Sequence, residues 1–189
     1  AELLLGTEGN DNIIGYATDD TLSGGAGNDR LDGGDGSDTY TFALGDGRDT
    51  IADSGADGED VIRFDAEILP ADVAVTRNES DLLLVVRSTG ERVIVEGWFG
   101  DTGPSIESVM FDDGTTWSPT ELTAWALAPV MPSADDDFIV GSDAGETIDA
   151  LAGNDEIHAL AGDDQLTGGT GNDLLSGGSG NDTYIYQQG

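Results

Sequence analysis

One phrase of nine residues limits this chain more than anything else in it: Gly-Gly-x-Gly-x-Asp-x-apolar-x, which recurs in phase at both ends of the sequence. In the first array, units begin at Gly6, Gly15, Gly24 and Gly33. Their sixth places hold Asp11, Asp20, Asp29 and Asp38, and their eighth places Ile13, Leu22, Leu31 and Tyr40. Two looser units, 44–52 and 55–63, follow after two-residue insertions and carry Asp49 with Ile51 and Asp60 with Ile62. In the second array, units begin at Gly141, Ala150, Ala159, Gly168 and Gly177. Glu146, Asp155, Asp164, Asp173 and Asp182 stand sixth, and Ile148, Ile157, Leu166, Leu175 and Tyr184 eighth. Residues 132–140 form a degenerate lead-in with Asp137 and Ile139. A short fixed period means one small structural unit stacked on copies of itself, each unable to bury its apolar face alone.

Glycine in the first, second and fourth places permits backbone conformations closed to other residues, so the first six residues form a tight turn. The other three make a short strand whose eighth-place residue points to one side and its neighbours to the other. Places seven and nine are mostly polar, so each unit sends one apolar side chain into a shared interior. Two units complete one coil. The expected fold class is all-β: a parallel β-roll (a β-solenoid) in two repeat blocks. Stacking brings the aspartates of units two apart to about 4.8 Å, the spacing of neighbouring strands. At an effective dielectric of about 20, each like-charge pair costs roughly 3 kcal/mol. Several such pairs rival the roughly 5–15 kcal/mol that holds a domain folded. The roll therefore requires counter-ions. Tight turns add inward carbonyls to the carboxylates, and a set of about six to eight hard oxygens without nitrogen or sulfur suits Ca2+, several ions in all.

Composition agrees with a cation partner. Six basic residues, all arginine, stand against 39 acidic ones in 189, for a net charge of -33. That balance excludes nucleic acid and anionic membrane surfaces as direct partners. The regular spacing of the apolar residues argues against a disordered acidic chain. Without cysteine there is neither a disulfide framework nor a thiolate metal site, and the single histidine, His158, makes an imidazole-built zinc centre unlike this chain. No apolar run reaches the length of a membrane span and no signal peptide opens the chain, so no direct membrane insertion is expected. The abrupt ends at Ala1-Glu2-Leu3 and Gln187-Gln188-Gly189 are read as those of a piece of a longer protein.

Between the arrays the period is lost. The pattern predicts a hairpin of residues 82–86 and 92–96 through Ser88-Thr89-Gly90, and a loop at 100–104. A strand near 106–111 and a turn at Asp112-Asp113-Gly114 come next. Ser118-Pro119-Thr120-Glu121 opens a helix with Leu122, Trp125 and Ala126 on one face, and 128–133 is a linker. The expected organisation is a first roll block at 1–63, a small intervening capping segment with hairpin, strand and short helix at 64–131, and a second roll block at 132–189. The segment is expected to cap the first roll.

The units resemble the RTX (repeats-in-toxin, haemolysin-type) nonapeptide, a calcium-binding motif. The resemblance extends into the middle through Asp38-Thr39-Tyr40-Thr41-Phe42, Gly45-Asp46-Gly47-Arg48-Asp49-Thr50-Ile51, Gly97-Trp98-Phe99 and Phe111-Asp112-Asp113-Gly114. It implies a secreted, extracellular bacterial protein exported by type I secretion machinery and folded by calcium outside the cell. It also implies a ligand set for each ion. The earlier turn gives the carbonyls of its second and fourth places and its Asp; the turn two units later gives the carbonyls of its first and third places and its Asp. Carried over, one site is Thr7, Gly9 and Asp11 with Gly24, Ala26 and Asp29, and another is Tyr16, Thr18 and Asp20 with Gly33, Asp35 and Asp38. A third, across an insertion, is Gly25, Gly27 and Asp29 with Leu44, Asp46 and Asp49. In the second array, Leu151, Gly153 and Asp155 join Gly168, Thr170 and Asp173, and Leu160, Gly162 and Asp164 join Gly177, Ser179 and Asp182. Glu146 is expected to overreach where Asp is usual, and Thr18 and Ala144, in fourth-place positions, to strain their turns.

Other residues get plainer readings. His158, in a ninth place, is expected on the surface. Trp98, Phe99, Trp117 and Trp125 are expected to form the core of the middle segment, with a carbohydrate-binding platform as the alternative. Arg63, Arg77, Arg87 and Arg92 relieve charge. No G-x-S-x-G elbow or HExxH helix is present, so no active site is expected in these residues. The reading is a calcium-binding module of a larger secreted chain (a toxin, an adhesin or an enzyme). The alternatives are an adhesin or sugar-binding module, or an accessory module of a secreted hydrolase or epimerase.

Overall fold

Residues in places seven to nine of each unit form the strands, and the eighth places stack on one another in two columns. The structure, a computed structural model, describes residues 1–55, 58–78, 80–100, 105–127 and 132–186. It falls into two compact units, 1–127 and 128–189.

In the first unit, β1 (Leu3–Leu5), β2 (Asn12–Ile14), β3 (Thr21–Ser23), β4 (Arg30–Asp32), β5 (Thr39–Phe42), β6 (Arg48–Ile51) and β7 (Val61–Phe64) go alternately to two parallel sheets. Leu4, Leu22, Tyr40 and Ile62 lie in register in one sheet, and Ile13, Leu31 and Ile51 in the other. Leu22, Leu31, Tyr40, Ile51 and Ile62 are wholly buried. The parallel β-roll is thus present, and it starts one strand earlier than the repeat count, at β1.

The middle segment continues both sheets of this roll. A 3-10 turn at Pro70–Asp72 leads into β8 (Val73–Asn78), which pairs antiparallel with β9 (Asp81–Val86). The expected hairpin joins β9 to β10 (Arg92–Val95), with Gly90 in the left-handed region at φ 75°. β10 lies parallel on β6, so Val95 extends the column of Ile51. On the other sheet, β11 (Ser108–Met110) lies parallel on β7 and places Val109 over Ile62, and β12 (Thr116–Trp117) turns back on it. The helix α1 (Pro119–Ala126) starts at a reciprocal cap between Ser118 and Glu121 and buries Leu122 and Ala126. β8 was not anticipated in the sequence. The loop at 101–104 and the linker residues 128–131 lie outside the described residues.

The second unit has β13 (Phe138–Val140), β14 (Thr147–Asp149), β15 (Glu156–His158), β16 (Gln165–Thr167), β17 (Leu174–Ser176) and β18 (Thr183–Ile185). They form two parallel three-stranded sheets, β13-β15-β17 and β14-β16-β18. Ile139, Ile157 and Leu166 form its core with Ile148 and Leu175 packed against them.

Candidate metal centres

The inner turns of both rolls share one backbone. Their second and fourth places sit in the left-handed region, and four of these positions are not glycine: Tyr16 (φ 73°), Thr18 (83°), Leu151 (77°) and Leu160 (78°). A left-handed conformation costs an L-residue about 1–2 kcal/mol, so the strain expected at Thr18 is present. That expected at Ala144 is absent, because Ala144 belongs to a different kind of turn.

The sixth-place carboxylates form ladders. Oδ1 of each accepts the backbone N–H of the sixth-place residue one coil earlier: Asp11 to Asp29 (2.7 Å), Asp20 to Asp38 (2.7 Å) and Asp29 to Asp49 (2.9 Å). Asp38 donates to Asp60 (2.7 Å), and Asp60 in turn donates to Oε2 of Glu107 (2.6 Å), which carries the ladder into the middle segment. In the second unit Asp155 donates to Asp173 (3.0 Å) and Asp164 to Asp182 (3.1 Å). Asp29 and Asp38, neighbours in sequence, stand in different ladders.

The other oxygen is left over. Oδ2 of Asp20, Asp29, Asp38, Asp155 and Asp164 is buried with no hydrogen-bond partner. Each of these aspartates is at most 3% exposed. A buried carboxylate oxygen without a donor is costly, and a row of them marks a place for a cation. The geometry keeps that place small: a Cβ on Gly24, Gly33, Gly168 or Gly177 would overlap the carboxylate of Asp29, Asp38, Asp173 or Asp182 in the same turn.

Carbonyls complete the edges. Those of Thr7, Tyr16, Leu151 and Leu160 lie against the second-place glycine of the turn one coil on, and those of Gly9, Thr18, Gly153 and Gly162 against its fourth-place glycine. The carbonyls of Gly24 and Gly33 lie against Gly6 and Gly15. At the third places, the carbonyls of Thr170 and Ser179 accept N–H from Gly153 (3.0 Å) and Gly162 (2.9 Å). The N–H of Asp35 goes to Tyr16 O (3.1 Å). Each carbonyl retains a second lone pair. Among the described residues no three carboxylate or imidazole side chains converge, so backbone oxygens would supply most of any donor set. Two carboxylates and several carbonyls per edge fit calcium.

The site across the insertion is in register but differently shaped. Asp46 O accepts the N–H of Gly27 (2.9 Å), the role of a third place. Gly25 itself is left-handed, as second places are. Leu44, however, sits in a wider exposed turn in which Oδ2 of Asp46 accepts the N–H of Ala43 (2.8 Å). Burial, ahead of repulsion from Asp29 and Asp46, pushes the Asp49 carboxyl up to about 7, and burial likewise pushes Asp60 up to about 8. Asp38 and Asp46 are raised for the same leading reason. All four resist ionisation in the absence of positive charge.

Three turns are closed without left-handed residues: 6–11, 132–137 and 141–146. In each, a second-place hydroxyl residue donates to the sixth-place carboxylate. Thr7 donates N–H and Oγ1–H to Asp11 (2.7 and 2.8 Å), and Ser133 donates to Asp137 (2.7 Å from N). Ser142 holds both oxygens of Glu146 (2.8 Å each), so Glu146 bends back into its own turn instead of overreaching. Asp11 therefore brings a partly committed carboxylate to the first site, where Asp29 retains its unpartnered oxygen.

Sequence reasoning missed two further features. Fifth-place Asn and Asp side chains form a second ladder, as in Asn28 N–H to Asn10 (3.0 Å) and Asn172 N–H to Asn154 (3.0 Å); the recurrence of Asn or Asp in the fifth place was the available signal. Asp53, in the turn before β7, also has a buried unpartnered Oδ2. Elsewhere, His158 is half-buried beside Phe138 and pairs with Glu156 at 2.7 Å. Trp98 and Trp117 are buried, Phe99 packs on the core under Arg77, and only Trp125 is exposed, edge-on to Trp117.

Comparison with known proteins agrees with this geometry. Residues 5–40, 133–157, 140–175 and 149–184 match the family described as RTX calcium-binding nonapeptide repeat (4 copies). Residues 81–121 match the haemolysin-type calcium binding protein related domain. No curated protein matches the chain. Among solved structures, the extracellular lipase LipA from Serratia marcescens is similar at 22% identity and a TM-score of 0.40, over 97% of this chain. The chain spans 29% of that lipase's length. The chain thus carries RTX haemolysin-type calcium-binding nonapeptide repeats in both rolls, with a haemolysin-type calcium binding protein related domain between them.

Proposed function

We propose that these residues are a calcium-responsive folding module of a larger protein secreted by bacteria through type I machinery. The observation that supports this most is the set of buried, unpartnered carboxylate oxygens on the sixth-place residues Asp20, Asp29, Asp38, Asp155 and Asp164. Without a cation the stacked carboxylates repel, and the chain, at net charge -33, expands. Extracellular calcium modules bind at about 10⁻⁴–10⁻³ M, which leaves such sites empty in the cytosol and filled outside. Calcium, when bound, supplies the positive charge the ladders lack, and binding is then coupled to folding. The carboxylates hold adjacent coils through Oδ1 and present Oδ2 to the ion; the glycines leave room for both. The parent protein's toxic, adhesive or catalytic work is assigned to residues outside this segment. Far-ultraviolet circular dichroism during a calcium titration tests the proposal: β-structure is expected to appear with calcium, and full β-structure in chelator would overturn it.

A further inference from the structure

The two sheets of the first roll differ in the charge of their outer faces. In the sheet that carries β3, β5 and β7, places seven and nine point away from the core. They hold Thr21, Ser23, Thr39, Thr41, Val61 and Arg63, none of them acidic in a chain with 39 acidic residues. The same places elsewhere do carry acids, as Asp32 in β4, Asp149 in β14 and Glu156 in β15. A cavity of about 390 Å³ opens on this face where the strands end. Ser23, Thr41 and Arg63 reach it from the strands, and Asp65 and Asp112 from the turns after β7 and β11. Ala43 and Ala66, beside Phe42 and Phe64, give it apolar surface. Its volume, and an apolar lining with a few polar groups, are those of small-molecule sites.

These polar groups are largely uncommitted. Arg63 is exposed and, among the described residues, has neither an ion-pair nor a hydrogen-bond partner for its guanidinium. Six arginines face 39 acids in this chain, and Asp65 and Asp112 line the same cavity, so an unpaired guanidinium is unexpected here. Thr41 donates to Leu22 O (3.2 Å) and keeps its oxygen lone pairs, and Asp65 accepts from Glu67 N–H (3.0 Å) on Oδ1 alone. Asp46 also borders the cavity, with Oδ2 already taken by Ala43 N–H (2.8 Å).

Charge selects among ligands. Asp46, Asp65 and Asp112 outnumber Arg63, which disfavours an anion, and they do not converge as a metal site would. A wholly apolar ligand would strand the charged groups away from water. A neutral polyhydroxylated ligand satisfies them all: its hydroxyls donate to the carboxylates and accept from the guanidinium, while its C–H surface lies on the alanines. We propose that this cavity binds a neutral saccharide, held by Arg63, Asp65 and Asp112, with the hydroxyl-bearing strand face as the track for a longer glycan. The site is separate from the aromatic platform that the sequence suggests, since none of Trp98, Phe99, Trp117 and Trp125 lines it.

Calorimetric titration of the whole chain in saturating calcium with maltose, cellobiose, lactose and mannobiose provides the test, with sodium glucuronate as the anionic comparison. At least one neutral disaccharide is expected to bind, more tightly than glucuronate. Arg63→Ala is expected to weaken that binding about tenfold, as loss of a charged hydrogen-bonding group does, without moving the calcium midpoint of the circular dichroism change. Trp125→Ala is expected to leave the affinity unchanged. Three results would each overturn the proposal: no neutral disaccharide bound up to its solubility limit, tighter binding of glucuronate, or binding that survives Arg63→Ala and is lost in Trp125→Ala. Should Arg63→Ala shift the calcium midpoint, Thr41→Val keeps the side-chain size and removes a lining hydroxyl, and an unaltered affinity there overturns the proposal equally.

Discussion

Asp38→Asn should change the stability of this protein in opposite directions with and without calcium. Asp38 is wholly buried, accepts the N–H of Asp20 on Oδ1 and donates its own N–H to Asp60. Above about pH 8, where Asp60 is ionised too, it therefore stands between two like charges at about strand spacing, each pair costing roughly 3 kcal/mol at an effective dielectric of about 20. If salt and relaxation halve that total, about 3 kcal/mol of repulsion is relieved when the charge goes. The amide still accepts from Asp20, and the weaker neutral hydrogen bond returns about 1 kcal/mol. In chelator the variant should thus gain about 2 kcal/mol. With calcium the sign reverses, because Asp38 serves the edge shared with Asp20 and the one shared with Asp60. A tenfold weakening at each, about 1.4 kcal/mol, gives a loss of nearly 3 kcal/mol. The assay is urea unfolding in saturating calcium and osmolyte-induced folding in chelator, both followed by circular dichroism. A variant destabilised equally in both conditions would show that Asp38 is a hydrogen-bond acceptor and nothing more, and the charge argument would fall.

Other expectations follow from the same geometry. The hydroxyls of Tyr40 and Tyr184 accept the N–H of Gly33 (2.8 Å) and Gly177 (2.9 Å), one bond buried and the other half-exposed. Tyr40→Phe should therefore cost about 1–3 kcal/mol by stranding a buried donor, and Tyr184→Phe about 0.5 kcal/mol or less, as read from denaturant midpoints in calcium. The pH dependence without calcium should invert the usual one. Burial pushes the folded carboxyls of Asp49 and Asp60 up to about 7 and about 8 from the ordinary 3.8, so the fold binds more protons between those values. Stability from these groups is complete below about pH 4 and is lost as pH rises through their folded values. More β-structure is expected in chelator at pH 5 than at pH 8.5, and the reverse order would refute the assignment. Ser142→Ala should unpin Glu146 and cost about 1 kcal/mol in thermal unfolding while leaving the number of bound calcium ions unchanged.

What the sequence discloses here depends on how many neighbours a residue has in the stack. Leu22, Leu31 and Tyr40 each have a coil on either side, obey the period, and could be placed from it alone; so could the pairing of Asp20 with Asp38 across one coil. The hairpin of β9 and β10 and the cap of α1 were legible for a local reason, since Gly90 and the Ser118–Glu121 exchange need no partner from elsewhere. The misreadings lie where the stack begins or passes into another element. Thr7, Ser133 and Ser142 look like tolerated variation in the second place, yet each bonds the sixth-place carboxylate of its own turn. There a hydroxyl closes the turn that a left-handed residue closes elsewhere. Asp53 escaped notice because the two-residue insertion that frees its side chain also puts it out of phase. A period describes what a coil needs from two neighbours. A coil with one neighbour, or with a different element as its neighbour, must meet the same hydrogen-bonding and charge demands from its own side chains. Those departures from the period are therefore where chemistry particular to this chain is found.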